Sequence, residues 1–240
     1  MNNQLKTISI LSLLVFCISI GDVVSEEADS TKVYRGYFMI GGTEFDIAPL
    51  NSRLKTKGYT EFSEEFFSIG GGLFYKPAGR FLVGVEGNLL IGDEKSSVIS
   101  GKSYSSSAIG GYGFLNTGYL VVENDFLDLY PVLGIGIGGI SFKIGQSSFE
   151  DILDNPYGAA NLTTYSLMMN FALGADYKIK LPDNGIDKSF LVIGLRGGYA
   201  LSIYDSGWFM DEFSLSGDPD GGISGPYLRI TIGGGPISKK

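Results

Sequence analysis

The run YPVLGIGIGGISF, residues 130–142, places Gly134, Gly136 and Gly138 where a phosphate-binding loop would be sought first. Such a loop sets its glycines at a strand-to-helix turn, so that backbone N–H groups and a helix N-terminus meet the phosphates. Here the spacing is strictly two, the period of a strand. Leu133, Ile135 and Ile137 share one face and the glycines share the other, which makes a wall and not a cradle. Acid–base chemistry fares no better. The chain has no histidine, which removes Ser–His and Cys–His nucleophile pairs, histidine-rich zinc sites and the commonest general base at neutral pH. Glu64 and Glu65 are neighbours in an extended segment and point to opposite faces. Asp211/Glu212 and Asp218/Asp220 lie in a glycine-rich loop. No metal site is expected. The nearest to one is Asp218 with Asp220 in SGDPDGG (216–222), which could offer oxygens to calcium but lacks the spacing and terminal Glu of an EF-hand loop. No cofactor and no enzymatic activity are expected. The remaining charges of interest are Glu86, Asp176, Arg196 and Arg229, each set among apolar alternating residues. An unpaired buried charge costs several kcal/mol or more, so the chemistry open to these four is to pair with one another.

The elements that must position them follow from composition and periodicity. The chain has 240 residues, 44% hydrophobic and 18% charged, with 36 glycines, about twice the average share. It is too apolar for disorder. A net charge of −8 without a basic cluster excludes nucleic acid as a partner. Lys6 precedes an apolar run from Ile8 to Ile20, the length of a signal-peptide core and short of the ~20 residues of a spanning helix. Residues 1–25 are therefore expected to be a signal peptide for Sec export, cleaved after Gly21 or Ser25. Cys17, the single cysteine, falls within it, so no disulfide framework is expected. A short N-terminal segment (26–33), a barrel domain (34–233) and a C-terminal tail (234–240) complete the division.

Period-two segments recur at 34–45, 64–76, 80–92, 106–122, 126–142, 164–180, 189–203 and 225–233. Each has the length of a tilted membrane strand, about 9–11 residues or somewhat more. The connections alternate between long, such as 46–63, and short, such as PAG at 77–79. Long loops gathered at one end are the mark of an up-and-down membrane barrel. Besides strands, only a helical turn near SSFEDILDN, capped by Ser148, competes. The prediction is an all-β fold, an eight-stranded antiparallel up-and-down transmembrane β-barrel. Its apolar face (Phe81, Val83 and Val85; Leu167, Phe171 and Leu173; Leu191, Ile193 and Leu195; Leu228, Ile230 and Ile232) would meet lipid. The opposite face, rich in Gly, Ser and Asn, would fill a narrow lumen. Tyr75, Tyr119 and Tyr177, level with one another near the short turns, suit an aromatic girdle. The same alternation also fits a soluble lipocalin-like barrel with Leu133, Ile135 and Phe171 turned inward on an apolar ligand. Glu86, Asp176, Arg196 and Arg229 would form a lumenal network that plugs the barrel or, alternatively, gates a narrow ion path. Trp208, Phe209 and Met210, in the last long loop, are candidates for contact with a surface partner or for strand extension at the lipid headgroups.

The segments GYFMIGG, YPVLGIGIGG, FALGADYKI and VIGLRGGYAL resemble the strands of small outer-membrane β-barrels, the OmpA membrane domain and the opacity-protein group. The resemblance is one of glycine-rich alternation over nearly all of the chain after the leader. It implies the outer membrane of a Gram-negative-type bacterium, a monomer, and a structural or surface role: envelope integrity, adhesion, or binding of host or matrix ligands through long loops. One departure stands out. Members often end on an aromatic residue that closes the last strand, whereas here the last strand is followed by GGGPISKK.

Overall fold

The computed structural model describes residues 32–77, 79–99, 101–146, 159–181, 188–210, 213–215 and 223–238. The expected signal peptide, the expected turn near Ser148, and Asp211, Glu212, Asp218 and Asp220 lie outside the described residues. Eight long strands carry the fold: β1 (Lys32–Glu44), β2 (Glu65–Lys76), β3 (Phe81–Gly92), β5 (Lys102–Tyr119), β7 (Leu127–Gln146), β8 (Ala160–Lys180), β9 (Lys188–Met210) and β11 (Gly225–Ser238). Each pairs antiparallel with the next in the chain. β1 then pairs with β11, Phe38 opposite Ile232 and Ile40 opposite Ile230, so the sheet closes on itself. Closure leaves no unpaired edge around the ring. Three short strands lie off it: β4 (Lys95–Ile99) on β5, β6 (Val122–Glu123) on β7, and β10 (Phe213–Ser214) on β9.

Three features depart from the reading of the sequence. First, β5, β7, β8 and β9 outrun their predicted ends at the long-loop side, and β9 reaches 23 residues. Together with β4 and β10 they form a wall that rises on one side of the barrel. Two irregularities in the β8–β9 register, between Thr164 and Ser166 and between Leu167 and Met168, break the strict alternation here. The first is accommodated at Gly207, whose φ of 78° a side chain would strain. Second, the supposed tail belongs to the barrel: Gly234 to Ile237 pair with β9, and β11 runs to Ser238. A Cβ at Gly235 would run into the carbonyl of Tyr34, so glycine lets the closing strands meet there. Third, the link at 46–63 holds a helix, α1 (Ala48–Thr56), with Pro49 in its first turn and Arg53 and Lys55 in its last. Only Leu50 and Leu54 give it an apolar stripe, too little over nine residues to stand out as an amphipathic helix.

Candidate functional site

The two faces of the wall have inverted polarity. Leu133 is 53% exposed and Phe171 41%, whereas Arg196 is 1% exposed and Arg229 is wholly buried. The outward positions on all eight long strands are mostly large and apolar, among them Phe38, Phe67, Val83, Leu115, Ile137, Leu173, Leu195 and Ile230. A soluble barrel would pay for exposing such a belt to water at about 25 cal/mol per Å². The lipocalin arrangement is thereby overturned: Leu133, Ile135 and Phe171 point outward, and the interior they would have lined is filled with polar side chains. Near the short turns Tyr34 stacks on Tyr75 at 5.0 Å and Phe81 meets Tyr119 edge-on at 5.2 Å. Tyr119 and Tyr177 are exposed at the same end of the barrel. Such a ring suits a headgroup boundary.

Within the lumen, Glu86 lies between two arginines. Its Oε2 accepts from Arg196 Nη1 at 2.8 Å, and its Oε1 from Arg229 Nη1 at 3.4 Å. Arg196 also donates to the hydroxyls of Tyr37 and Tyr130, each at 3.1 Å. Tyr130 passes the chain on, donating to Asp176 Oδ2 at 2.8 Å. Asp176 does not touch Arg196 or Arg229. Its partner is Arg35, whose guanidinium spans Asp176 at 2.6 Å and Asp128 at 2.7 Å. Lys178 closes the series on Asp128 at 2.7 Å. Arg229 bonds Tyr112 and lies 3.8 Å from the ring centroid of Tyr227, while Arg196 lies 4.8 Å from that of Tyr37. Three buried arginines thus face three buried carboxylates across the barrel, with aromatic faces taking up the remaining charge. Glu86, Asp176, Arg196 and Arg229 all point inward, as strand parity requires. Arg35 and Asp128 were missed, although parity marks them too: Arg35 alternates with Tyr37 and Met39, and Asp128 with Tyr130 and Val132.

Toward the long-loop end the filling changes from charged to aromatic. Phe45, Ile47, Leu50, Leu54 and Phe62, from the α1 segment, are buried in the mouth. Phe62 meets Phe142 at 4.5 Å, Phe142 meets Trp208 at 5.7 Å, and Phe45 meets Phe66 at 5.3 Å. The segment is pinned by Asn51, which donates to the carbonyl of Phe62 at 3.1 Å and accepts from its N–H at 2.8 Å. Trp208 therefore belongs to this plug and is not a surface anchor. Phe209 is half-buried on β9 near Tyr165, and Met210 is exposed at the strand end opposite Phe213.

At the opposite mouth a cavity of about 310 Å³ opens between Arg35, Phe74, Leu82 and Phe190, rimmed by Lys76, Lys178 and Lys180. The rim charges are answered: Lys76 pairs with Glu123, and Lys180 with Asp125. The Arg35–Asp128 pair lines this vestibule.

A closed antiparallel ring with a lipid-suited exterior and a paired, filled lumen is a transmembrane β-barrel. No protein-family profile matches the chain, and no curated relative does. Among solved structures the chain is similar to Ail, the attachment invasion locus protein of Yersinia pestis, at 13% identity and a TM-score of 0.40 over 87% of this chain and 99% of Ail. The same values hold for Ail in complex with the heparin analogue sucrose octasulfate. A likeness at this level says nothing of what this chain binds.

Proposed function

We propose that the protein is an outer-membrane β-barrel of a Gram-negative-type envelope, exported through the Sec pathway, whose work is structural or done by surface contact. The observation that carries this reading is the inverted wall, apolar outside and paired arginines within. Bacterial barrels of this polarity belong to the outer membrane. The surface role is supported by where the chain spends its extra length: β5, β7, β8 and β9 rise past the apolar belt at the long-loop end. The absence of histidine from the sequence supports a role without nucleophilic or acid–base catalysis.

The second reading, a narrow ion path, needs the Glu86–Arg196–Arg229 cluster to part and the α1 plug to withdraw. Two fillings in series favour a plug over a gate.

Fractionation of expressing cells, with gel migration before and after boiling, tests the first reading. Recovery in the outer membrane with a heat-shifted band is the expected result. Recovery in solution without detergent overturns it. Conductance in a planar bilayer tests the second: wild type and Arg196→Met are expected to give no steady channel, and a sustained conductance in either restores the gate.

A further inference from the structure

The belt is not uniformly thick. Across β5 and β7, Gly111 faces Gly139, and along β7 the outward neighbours of Gly139 are Ile137 and Ser141. Across β7 and β8, Ile137 faces Leu167, Gly139 faces Tyr165 and Ser141 faces Thr163. The glycines form the floor of an outward groove of about 750 Å³, walled by Ile109, Ile137, Tyr165, Leu167 and Tyr204. A second hollow of about 480 Å³ prolongs it down the same strands past Gly113 and Leu115, sharing Ile137 and Leu167. At the long-loop end of the groove the hydroxyls of Ser141 and Thr163 lie 2.8 Å apart and Ser206 Oγ accepts from the N–H of Tyr165 at 3.1 Å. Lys143, the next outward residue on β7, is exposed and makes no ion pair with any described residue.

From the loop end toward mid-barrel the order is cation, hydroxyls, bare apolar trough. That is the order of a membrane lipid: phosphate, ester, hydrocarbon. The groove is continuous with the lipid-facing belt, since Ile137 and Leu167 belong to both, so the medium that covers the belt covers it too. We propose that this groove seats one acyl chain of a phosphate-bearing outer-leaflet lipid, with the phosphate at Lys143 and the ester at Ser141 and Thr163. The proposal rests on the outer-membrane reading above.

The full chain, folded in a neutral maltoside detergent, is titrated with dimyristoyl phosphatidylglycerol or phosphatidylcholine and weighed by native mass spectrometry. The wild type is expected to hold a single phosphatidylglycerol at about tenfold lower lipid concentration than phosphatidylcholine. Lys143→Gln erases that preference, Ser141→Phe lowers retention of both lipids about tenfold, and Ile230→Phe, across the barrel on β11, changes neither. Heat-shifted gel migration checks the fold of each variant, and Lys143→Gln, at an exposed site, carries the test should Ser141→Phe not fold. Equal retention of the two lipids by the wild type, an undiminished adduct in Ser141→Phe, or a dimer in place of the adduct overturns the proposal. Failure of the membrane reading itself is distinguishable, because the chain then stays in solution with no detergent before any lipid is added.

Discussion

The middle of the lumen and its loop-side mouth are both filled, by opposite means. From the middle to the vestibule, six strands contribute the charges: Arg35 from β1, Glu86 from β3, Asp128 from β7, Asp176 and Lys178 from β8, Arg196 from β9 and Arg229 from β11. In the mouth the filling is aromatic, and much of it hangs on the α1 segment between two strands. A strand residue is held by hydrogen-bonded ladders on both sides and cannot retreat when its partner is lost. A loop residue can leave with its loop. Damage to the middle should therefore be felt by the whole barrel, and damage to the mouth by the mouth alone.

The sharpest way to break this contrast is Glu86→Ala. It leaves Arg196 and Arg229 buried at 1% and 0% exposure without their shared carboxylate, an arrangement that costs about 3–5 kcal/mol. The urea midpoint of the vesicle-inserted protein should fall accordingly. A fall under about 1 kcal/mol would mean that the three charges act like a solvated surface cluster, and the contrast would be lost. Phe142→Ala comes next. It removes the ring between Phe62 and Trp208, a truncation of the kind that costs about 3 kcal/mol or more. The cost should appear as protease cleavage within residues 46–63, with the urea midpoint moving far less than for Glu86→Ala. Asn51→Ala should act in the same place and more weakly. It strips Phe62 of the partners of its N–H and carbonyl, worth about 1–3 kcal/mol when such groups are left buried. A global loss of stability from either mouth variant would show that plug and barrel form one cooperative unit.

The same division explains what could be read from the sequence. Alternation fixes which strand residues face inward and excludes a one-residue slip of any strand. Glu86, Asp176, Arg196 and Arg229 are legible for that reason, and Arg35 and Asp128, nearer the strand ends, carry the same inward parity as Tyr37 and Tyr130. Parity could not say that Asp176 pairs with Arg35, because pairing across a lumen depends on the stagger of strands that are distant in sequence. The mouth had no such rule. Trp208 has the inward parity of Arg196 and Ala200, but it lies beyond the expected strand end at 203, past two register shifts that cancel; the residue the count misplaces is Tyr204, which is exposed. Leu50, Leu54 and Phe62 lie in a polar stretch where nothing local announces that the loop folds back into the barrel. The run Gly233–Gly234–Gly235 looked like the end of order because glycine is rare in strand interiors; here it marks close approach between the closing strands.

The outer rim of the vestibule tests the far end of the scale. Lys180 and Asp125 form an ion pair at 2.8 Å with both side chains more than half exposed. The Lys180 ammonium, as hydrogen-bond donor and nearby charge, holds the Asp125 carboxyl below its ordinary range. A carboxylate so lowered stabilises the folded state above its unfolded pKa, and the contribution fades as pH falls through the folded value. Full exposure to solvent and salt screens it. Lys180→Met should therefore return the Asp125 carboxyl resonance to an ordinary titration while leaving the urea midpoint at neutral pH unmoved. Were the midpoint to drop as far as in Asn51→Ala, the rim pairs would have to be counted with the charges of the middle, and the lumen would be held by one continuous electrostatic column from Arg229 to the membrane boundary.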